Sequence, residues 1–316
     1  MNAERLAPTR VHRFYRGGAL LGALRGEPGE DGFFPEDWVG SVTSAHNPGR
    51  DDPEEGLSRL VDGRLLRDVV SDDPLVWLGD AHVARFGTSL GLLVKLLDAG
   101  ERLPVHAHPD REFARRALDS LFGKTEAWFV LRTRGDEAEV WIGLRESVER
   151  GRYLEWIDSQ DVDALLGSLN RISVRPGDVV YVPAGVPHAL GAGVLIAEVQ
   201  EPTDFSLLCE WSGFPIASED SHLGLGWDAA VDALDLRAHE PVRSLPPESS
   251  AFFAVDDRAE ASGRFAILLI VAGAGQLDGA EAGPGEAFAV PAAAEELRLE
   301  GDLRVLRFLA PDPAAA

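Results

Sequence analysis

Hydrophobic and polar positions follow strand-like patterns through the central part of the chain. Residues 92–97 form an apolar run, and residues 123–133 and 139–144 contain alternating and short continuous apolar stretches. Residues 179–200 contain two runs rich in β-branched side chains, joined by a loop with proline and glycine. Such patterns are typical of paired β-strands. The middle of the chain is therefore predicted to be mainly β.

Helical periodicity is found in two central segments. Residues 110–121 place apolar side chains at helical spacing and begin with acidic residues, which predicts a short helix. Residues 147–170 combine charged and apolar positions at a period near 3.6, and Pro176 follows as a breaker. This second segment is predicted to be a helical insertion between strands. Residues 1–85 are rich in Gly, Pro and Asp, and we expect irregular structure with short strands there.

The C-terminal part of the chain repeats a motif of the central part. GEAFAVPAAAEE (residues 285–296) is similar to GDVVYVPAGVPH (residues 177–188), since both place a Gly-acid pair before an apolar strand, a proline and a loop of small residues. The later copy lacks the histidine. We therefore predict a metal-binding module over residues 1–240 and a metal-free one over 241–316. Chance similarity of two hairpins is the alternative interpretation.

The charge of the chain restricts its partners. The 316 residues include 53 acidic and 30 basic side chains, for a formal net charge of −23. A surface this acidic repels nucleic-acid backbones and anionic membranes, so neither is an expected partner. The same negative field would repel an anionic sugar phosphate, unless the binding pocket for that substrate carried basic side chains.

The N-terminal residues lack a long apolar segment with a cleavage site, and no stretch has the length needed to cross a bilayer. A cytoplasmic protein is therefore expected. The single cysteine, Cys209, cannot form an internal disulfide. It follows Leu207 and Leu208, and we interpret it as a small buried hydrophobe.

Three histidines and a glutamate stand out as candidate metal ligands. His106 and His108 are two positions apart, so an extended strand would project both from one face. Glu126 follows, and His188 ends the loop Pro-Ala-Gly-Val-Pro-His. Neutral imidazoles and a carboxylate suit zinc, iron, manganese, nickel or cobalt, and the set alone does not choose between these metals. A catalytic site would leave one or more coordination positions to water or substrate.

The remaining histidines show no such grouping. We expect them to be surface or hydrogen-bonded structural residues: His12, His46, His82, His222 and His239.

These motifs resemble those of a known family. The HxH pair and the loop with Pro183, Gly185 and His188 are similar to the two cupin motifs. LPVHAHPD and GKTEAWFVL, together with the motif that ends at His188, resemble the type I mannose-6-phosphate isomerases. The resemblance covers about residues 33–215, including an E-x-W-x-G segment that begins at Glu36, and extends more loosely to the C-terminus. It implies a bicupin fold with β-barrels and a metal-dependent sugar isomerase.

The resemblance also implies a ligand set. The family's zinc ligands, which are Gln, His, Glu and His, fall on His106, His108, Glu126 and His188, so the first position departs from the family pattern. One divalent metal is implied, with zinc first and iron, manganese, nickel or cobalt also compatible. Lys124 falls on the lysine of the family's GKTE segment, where it would orient a substrate oxygen. A solvated lysine at a strand end is the alternative.

Glu198 falls where the resemblance places an active-site carboxylate. It lies within an apolar strand, where a glutamate costs free energy unless it is paired or functional, so we predict a catalytic acid/base with a raised pKa. Glu36 is the second candidate base. The arginine that the family has ten residues after Glu198 is replaced by Leu208, and a nearby basic position is also lost. An unphosphorylated sugar is therefore considered beside a sugar phosphate.

Three functions follow from these observations. The first is an aldose-ketose isomerase that acts on mannose 6-phosphate or a related free sugar. The second is an iron-dependent cupin oxygenase that uses the three-His, one-Glu site. The third is a non-catalytic sugar-binding cupin, which is favoured by the absence of the family's arginine at position 208.

Overall fold

Antiparallel β-strands dominate the computed structural model, which describes residues 2–313. The prediction of a mainly β protein is confirmed. In chain order the strands are β1 (Glu4–Ala7), β2 (Arg10–Val11), β3 (Glu36–Gly40), β4 (Arg59–Leu60), β5 (Leu93–Ala99), β6 (His106–Ala107), β7 (Glu126–Thr133), β8 (Ala138–Leu144), β9 (Leu169–Val174), β10 (Val179–Val182), β11 (His188–Leu190), β12 (Val194–Gln200), β13 (Leu207–Leu208), β14 (Ala254–Asp256), β15 (Ala266–Ala272), β16 (Gly275–Leu277), β17 (Ala280–Ala282), β18 (Ala287–Val290), β19 (Leu299–Gly301) and β20 (Arg304–Leu309).

The helices are short and lie between strands. They are α1 (Ala19–Leu24), α2 (Leu66–Asp72), α3 (Pro74–Leu78), α4 (Asp80–Phe86), α5 (Arg111–Ala117), α6 (Arg150–Ser159), α7 (Val162–Gly167) and α8 (Trp227–Ala230), with 3-10 turns at Ser218–Asp220, Val231–Ala233 and Pro247–Ala251. Within residues 2–313, none combines the length and the apolar character that crossing a membrane would require.

The two predicted helical segments are confirmed. Helix α5 begins after Asp110, whose carboxylate accepts a hydrogen bond from the backbone N–H of Phe113 at 2.7 Å and so caps the first turn. Helices α6 and α7 occupy the predicted insertion. The expectation for residues 1–85 was wrong in part, because α1 to α4 lie there. These helices have only five to seven residues each, too few to show a helical period in a stretch rich in turn residues.

Four sheets organise the strands. We call the six-stranded sheet β10-β7-β12-β5-β3-β2 the central sheet, and the five-stranded sheet β13-β6-β11-β8-β9 the facing sheet. A second six-stranded sheet, β14-β20-β15-β18-β1-β4, is called the C-terminal sheet, and a three-stranded sheet, β17-β16-β19, lies beside it. The N-terminal strands β1 and β4 belong to the C-terminal sheet. The division of the chain at residue 240 therefore stays a prediction, and residues near both ends of the chain meet in one sheet.

The central sheet is buried on both faces. On β7, Trp128 and Val130 pack in a core with residues of the facing sheet, whereas Ala127 and Phe129 pack against the C-terminal sheet. Phe129 makes an edge-to-face contact with Phe308 of β20, with ring centroids 5.8 Å apart. Because side chains alternate between the faces, every second residue of β5, β7 and β12 points toward the space between the central and facing sheets.

Candidate metal centre and active-site cleft

The three histidines of the predicted ligand set converge in space. Donor atoms of His106, His108 and His188 all lie within 4.8 Å of one another, and all three side chains are buried. Strand β6 ends at Ala107, so only His106 lies on it, but His108 follows immediately. His106 and His188 are directly paired between β6 and β11 of the facing sheet. The facing sheet thus brings together histidines that are 82 positions apart in the chain.

Each ring is oriented by a hydrogen bond on its Nδ1 side. Nδ1 of His106 bonds to the carbonyl of Pro104, that of His108 to Phe205 and that of His188 to Val186, all at 2.8 Å. A carbonyl only accepts, so each Nδ1 carries the hydrogen and each Nε2 keeps a lone pair. Backbone carbonyls of this kind fix the tautomer of metal-binding histidines.

Glu126 enters the same space from the central sheet. Its Oε2 lies 3.2 Å from His108 Nε2, and its Oε1 lies 3.5 Å from His188 Nε2. Oε1 also accepts a hydrogen bond from Trp128 Nε1 at 2.9 Å. Glu126 is the first residue of β7 and points to the same face as Trp128, two positions later. Two different sheets therefore supply the four predicted ligands.

The protonation states of these groups suit a metal. Burial lowers the pKa of His106 well below its usual value, and the neighbouring histidines lower it further. Burial and Lys124 lower the pKa of His108 to about 3, and burial also lowers that of His188. Burial opposes ionisation of Glu126, but Lys124 and His108 overcome it and hold its pKa well below the usual range. Neutral imidazoles and an ionised carboxylate are the forms that bind divalent ions.

These residues fit a divalent metal. His188 Nε2 is fully buried, yet it makes no hydrogen bond to any group among residues 2–313. An unpaired buried acceptor costs free energy, which a bound cation would recover. Donor atoms on one ion at about 2.1 Å are at most about 4.2 Å apart, so small side-chain rotations would bring the histidine nitrogens onto one ion.

Of the predicted ligands, His106 and Glu126 line an open cleft between the central and facing sheets, and His108 and His188 are buried directly beside them. Of the predicted catalytic residues, Glu198, Lys124 and Glu36 all line this cleft as well. Glu198 lies on β12 of the central sheet and His188 on β11 of the facing sheet. The two strands are consecutive in the chain but belong to different sheets. Glu198 lines the cleft, whereas His188 is buried beside Glu126, with its Nε2 3.5 Å from Glu126 Oε1.

Glu198 has a charged neighbour in place of the apolar surroundings that the sequence indicated. Its Oε1 lies 3.1 Å from Nζ of Lys95, which comes from the paired strand β5. Burial raises the pKa of Glu198 to about 8, and the negative charge of Glu126 adds to this, while Lys95 opposes it. The predicted direction of the pKa shift is confirmed.

Glu36 is held differently from Glu198. It accepts hydrogen bonds from Tyr15 Oη and from Trp38 Nε1, the latter at 2.6 Å. Arg13 Nε lies 3.1 Å from its Oε1, and Lys95 Nζ lies 3.8 Å from its Oε2. Burial by itself raises the pKa of Glu36, but Arg13 and Lys95 overcome this and lower it to about 2. Because its pKa is lowered and its oxygens already have partners, Glu36 suits holding Arg13 and Lys95 in place better than proton transfer.

Lys124 is buried beside the histidines and is not a solvated lysine at a strand end. Its Nζ lies 2.9 Å from His108 Nε2 and 3.3 Å from Glu126 Oε2. Leu208, at the position of the absent arginine, lines the cleft and pairs with His106 through β13 and β6. Cys209 is buried as expected.

Sequence reasoning missed Arg13, Lys95 and Asp204, which also line the cleft. Lys95 did leave a signal, since it has apolar residues on both sides in strand β5, where an unpaired lysine would be costly. Arg13 and Asp204 are 191 positions apart and left no such signal. His46, expected to be structural or on the surface, lines the cleft too.

Comparisons with known proteins agree with the resemblance of the motifs. Residues 33–127 match the family described as phosphomannose isomerase type I, catalytic domain. Mannose-6-phosphate isomerase ManA of Bacillus subtilis is 38% identical over 126 residues, which cover 37% of this chain and 36% of the relative. Mannose-6-phosphate isomerase of Streptococcus mutans is 38% identical over 135 residues, covering 42% and 41%. The aligned part thus spans about two fifths of the length of these curated relatives.

Solved structures extend the likeness to the whole fold. The crystal structure of mannose 6-phosphate isomerase from B. subtilis has a TM-score of 0.76 at 23% identity, covering 98% of this chain and 99% of that one. A structure of mannose 6-phosphate isomerase bound with zinc and yttrium has a TM-score of 0.69 at 18% identity, covering 99% and 100%. At this identity the likeness establishes the fold. The resemblance of the catalytic segment to type I phosphomannose isomerases is confirmed.

Proposed function

We propose that this protein is a metal-dependent isomerase that interconverts an aldose and its ketose, on a sugar related to the mannose 6-phosphate of its relatives' names. The observation that carries the proposal is one cleft lined by His106, Glu126, Glu198 and Lys95, with the other two histidines of the cluster buried directly behind it. An isomerase needs a metal site and a proton-transferring carboxylate that face the same substrate. The match of residues 33–127 to the phosphomannose isomerase family supports this function.

We propose His106, His108, Glu126 and His188 as the metal ligands and zinc as the metal. Nitrogen and carboxylate donors suit zinc, and a solved relative with this fold carries zinc. When bound, the ion would supply a Lewis acid for the carbonyl oxygen and the neighbouring hydroxyl of the sugar.

Glu198 is the proposed acid/base. Its carboxylate would take the proton from C2 of the open-chain aldose and return a proton at C1, while the hydroxyl proton of O2 passes to O1, so that C1 becomes an alcohol and C2 the ketone. A raised pKa suits both steps, because a carboxylate that is too acidic would not return the proton. Lys95, at 3.1 Å, holds the carboxylate in place.

Lys124 would donate a hydrogen bond to the oxygen on which negative charge develops during proton transfer. Its ammonium group lies beside two of the proposed ligands, 2.9 Å from His108 Nε2 and 3.3 Å from Glu126 Oε2. A fixed cation in a water-poor cleft stabilises a developing oxyanion strongly. Glu36 is kept ionised by Arg13 and Lys95, and it holds Lys95 in place beside Glu198.

Exchange of the substrate C2 proton with solvent tests this proposal. The metal-loaded protein should incorporate deuterium from D₂O into aldoses or their 6-phosphates, as followed by proton NMR. Glu198→Gln keeps the shape of the side chain but cannot take a proton, so the exchange rate should fall by about 10² to 10⁴ while the bound metal stays.

Glu55→Gln is the matched control, since Glu55 is also a buried glutamate but pairs with Arg50 outside the cleft. The control should keep both exchange and metal. If the Glu198→Gln variant exchanged the substrate C2 proton as fast as the parent, Glu198 would not be the base, and Glu36 would be the next candidate. If the metal-loaded parent exchanged no aldose at all, the isomerase proposal would be wrong.

A further inference from the structure

Every cationic side chain that lines the cleft already has carboxylate partners. Arg13 binds both oxygens of Asp204, at 2.8 and 3.1 Å, and also contacts Glu36 at 3.1 Å. Lys95 lies between Glu36 and Glu198. A guanidinium group with three such contacts has little capacity left for a phosphate group.

Lys124 is the remaining cation, and its position is unsuitable for a distant phosphate. It lies among the proposed metal ligands, in contact with Glu126 and His108. A substrate whose reacting carbons approach the metal would place those carbons near Lys124. A phosphate at the far end of a hexose would lie several bonds away. Lys124 can therefore serve the reacting oxygens but not also the phosphate.

Among the side chains of the lining, carboxyl groups outnumber cations. There are three cations, Arg13, Lys95 and Lys124, and five carboxyl groups, namely Glu36, Glu126, Glu198, Asp204 and Asp220. The positive charge of the proposed metal would lie beside its ligand Glu126, where the reacting oxygens of the sugar would bind, and not where a phosphate six carbons along would lie.

Asp220 increases the repulsion at the rim of the cleft. Its side chain is exposed, and within residues 2–313 it forms no salt bridge. The adjoining wall is apolar, with Ile216, Leu223 and Leu208. A phosphate dianion that entered there would lose hydration without gaining a cation.

An uncharged sugar suits the same lining. Ionised carboxylates accept hydrogen bonds from hydroxyl groups, which a sugar offers along its whole length. The rings of Phe14 and Trp128 and the apolar wall at Leu208 provide contact for C–H groups. Carboxylates paired with fixed cations are held in place for this role, so their orientation costs little entropy on binding.

We infer that the substrate of this cleft is an unphosphorylated aldose, since every cationic side chain of its lining is already paired with a carboxylate and none is left to bind a phosphate. The inference rests on the proposed isomerase function and specifies its substrate class. It concerns the end of the substrate that is remote from the reacting carbons.

Turnover of matched pairs tests the inference. The metal-loaded full chain is assayed with D-mannose and D-glucose and with the 6-phosphate of each. We expect kcat/KM for the preferred free aldose to exceed that of its 6-phosphate by at least about tenfold, which corresponds to one uncompensated charge interaction of about 1.4 kcal/mol. Inorganic phosphate at up to about ten times its typical millimolar cellular level should not compete with the free sugar.

Two variants sharpen the assay. Asp220→Asn removes the exposed charge at the rim, so it should raise the ratio of 6-phosphate to free-aldose turnover about twofold to fivefold, with a smaller gain at high salt. Leu208→Arg adds a cation to the wall and should raise the same ratio further, with Leu208→Met as its size-matched neutral control. Because Leu208 is buried, Asp220→Asn keeps the test valid if Leu208→Arg fails to fold.

The outcomes separate the two proposals. A higher kcat/KM for a 6-phosphate than for its free aldose, or competition by millimolar phosphate, would overturn the inference and leave the isomerase function standing. Metal-loaded protein that exchanges no C2 proton in either form of any aldose would overturn the proposed function and this inference with it.

Discussion

This protein has two interiors, each enclosed between two β-sheets, and the side chains that fill them differ in polarity. The space between the central and facing sheets holds the histidine cluster, Glu126, Glu198 and Lys95. The space between the C-terminal sheet and its three-stranded neighbour is filled by apolar side chains: Leu268, Ile270, Leu277, Phe288, Val290, Val305 and Leu309. Beyond residue 240, the buried polar side chains of the described region are Ser249 and Arg307.

The backbone around strand β10 resembles that around strand β18, although the side chains of the two interiors differ. β10 and β18 have four residues each, and each follows a turn with a glycine at positive φ, 97° at Gly177 and 85° at Gly285. Both glycines adopt a conformation that L side chains rarely take. After each strand comes a proline, but His188 is buried whereas Glu296, at the corresponding position, is exposed. Similar strand and turn patterns therefore occur in both regions, and the side chains that they carry differ: a buried histidine in one and an exposed glutamate in the other.

The largest effect is expected when the space between the central and facing sheets loses one of the proposed metal ligands. His188→Ala removes one of the donors that converge within 4.8 Å, so bound metal should fall at least tenfold and isomerase turnover at least a hundredfold. Metal analysis after dialysis, together with the exchange assay, measures both. His222→Ala, at a histidine outside the cluster, is the control. Full metal content in the His188 variant would show that this residue is not a ligand.

The next effect tests the apolar interior. Leu268 is fully buried, and Leu268→Ala should lower the free energy of unfolding by about 2–5 kcal/mol, because it removes buried apolar surface and leaves a cavity. Metal content per folded molecule should not change. Denaturant unfolding and metal analysis of the same sample measure these quantities. Metal lost from protein that is still folded would mean that the two interiors are coupled.

A smaller effect is expected at Lys124. Lys124→Met keeps the length of the side chain but removes the charge that we place near the developing oxyanion, so kcat should fall about tenfold to a hundredfold with little change in KM. The exposed pair of Arg152 and Glu155 offers Arg152→Met as a control that should leave kcat unchanged. An equal, small effect in both variants would return Lys124 to a structural role.

The smallest effect is expected in the apolar interior when it receives a histidine. Glu296→His places an imidazole at the position that corresponds to His188, but the surrounding side chains offer no second nitrogen donor and no buried carboxylate. Metal stoichiometry should stay at one ion per chain, as measured by metal analysis in excess zinc. A second bound ion would contradict the division of chemistry between the two interiors.

Much of the candidate site could be predicted because its motifs are local. His106 and His108 are separated by one residue, and His188 stands in a loop whose prolines and glycine mark the turn. Glu198 could be predicted as functional because a carboxylate in an apolar strand needs a reason to be there. The short helices α1 to α4 could not be predicted, since they are too brief to show a period and are stabilised by packing against the sheets.

The sequence by itself determined the strand pattern, the turns and the candidate metal ligands, since each is recognised from a short motif of neighbouring residues. Only the tertiary structure decided which face of the central sheet each side chain points to, because a strand buried on both sides is apolar throughout and hides its alternation. It also brought Arg13 to Asp204 and Lys95 to Glu198, pairs that depend on strand order and register. The charge balance of the cleft depends on these long-range contacts, and so does the substrate that the cleft can accept.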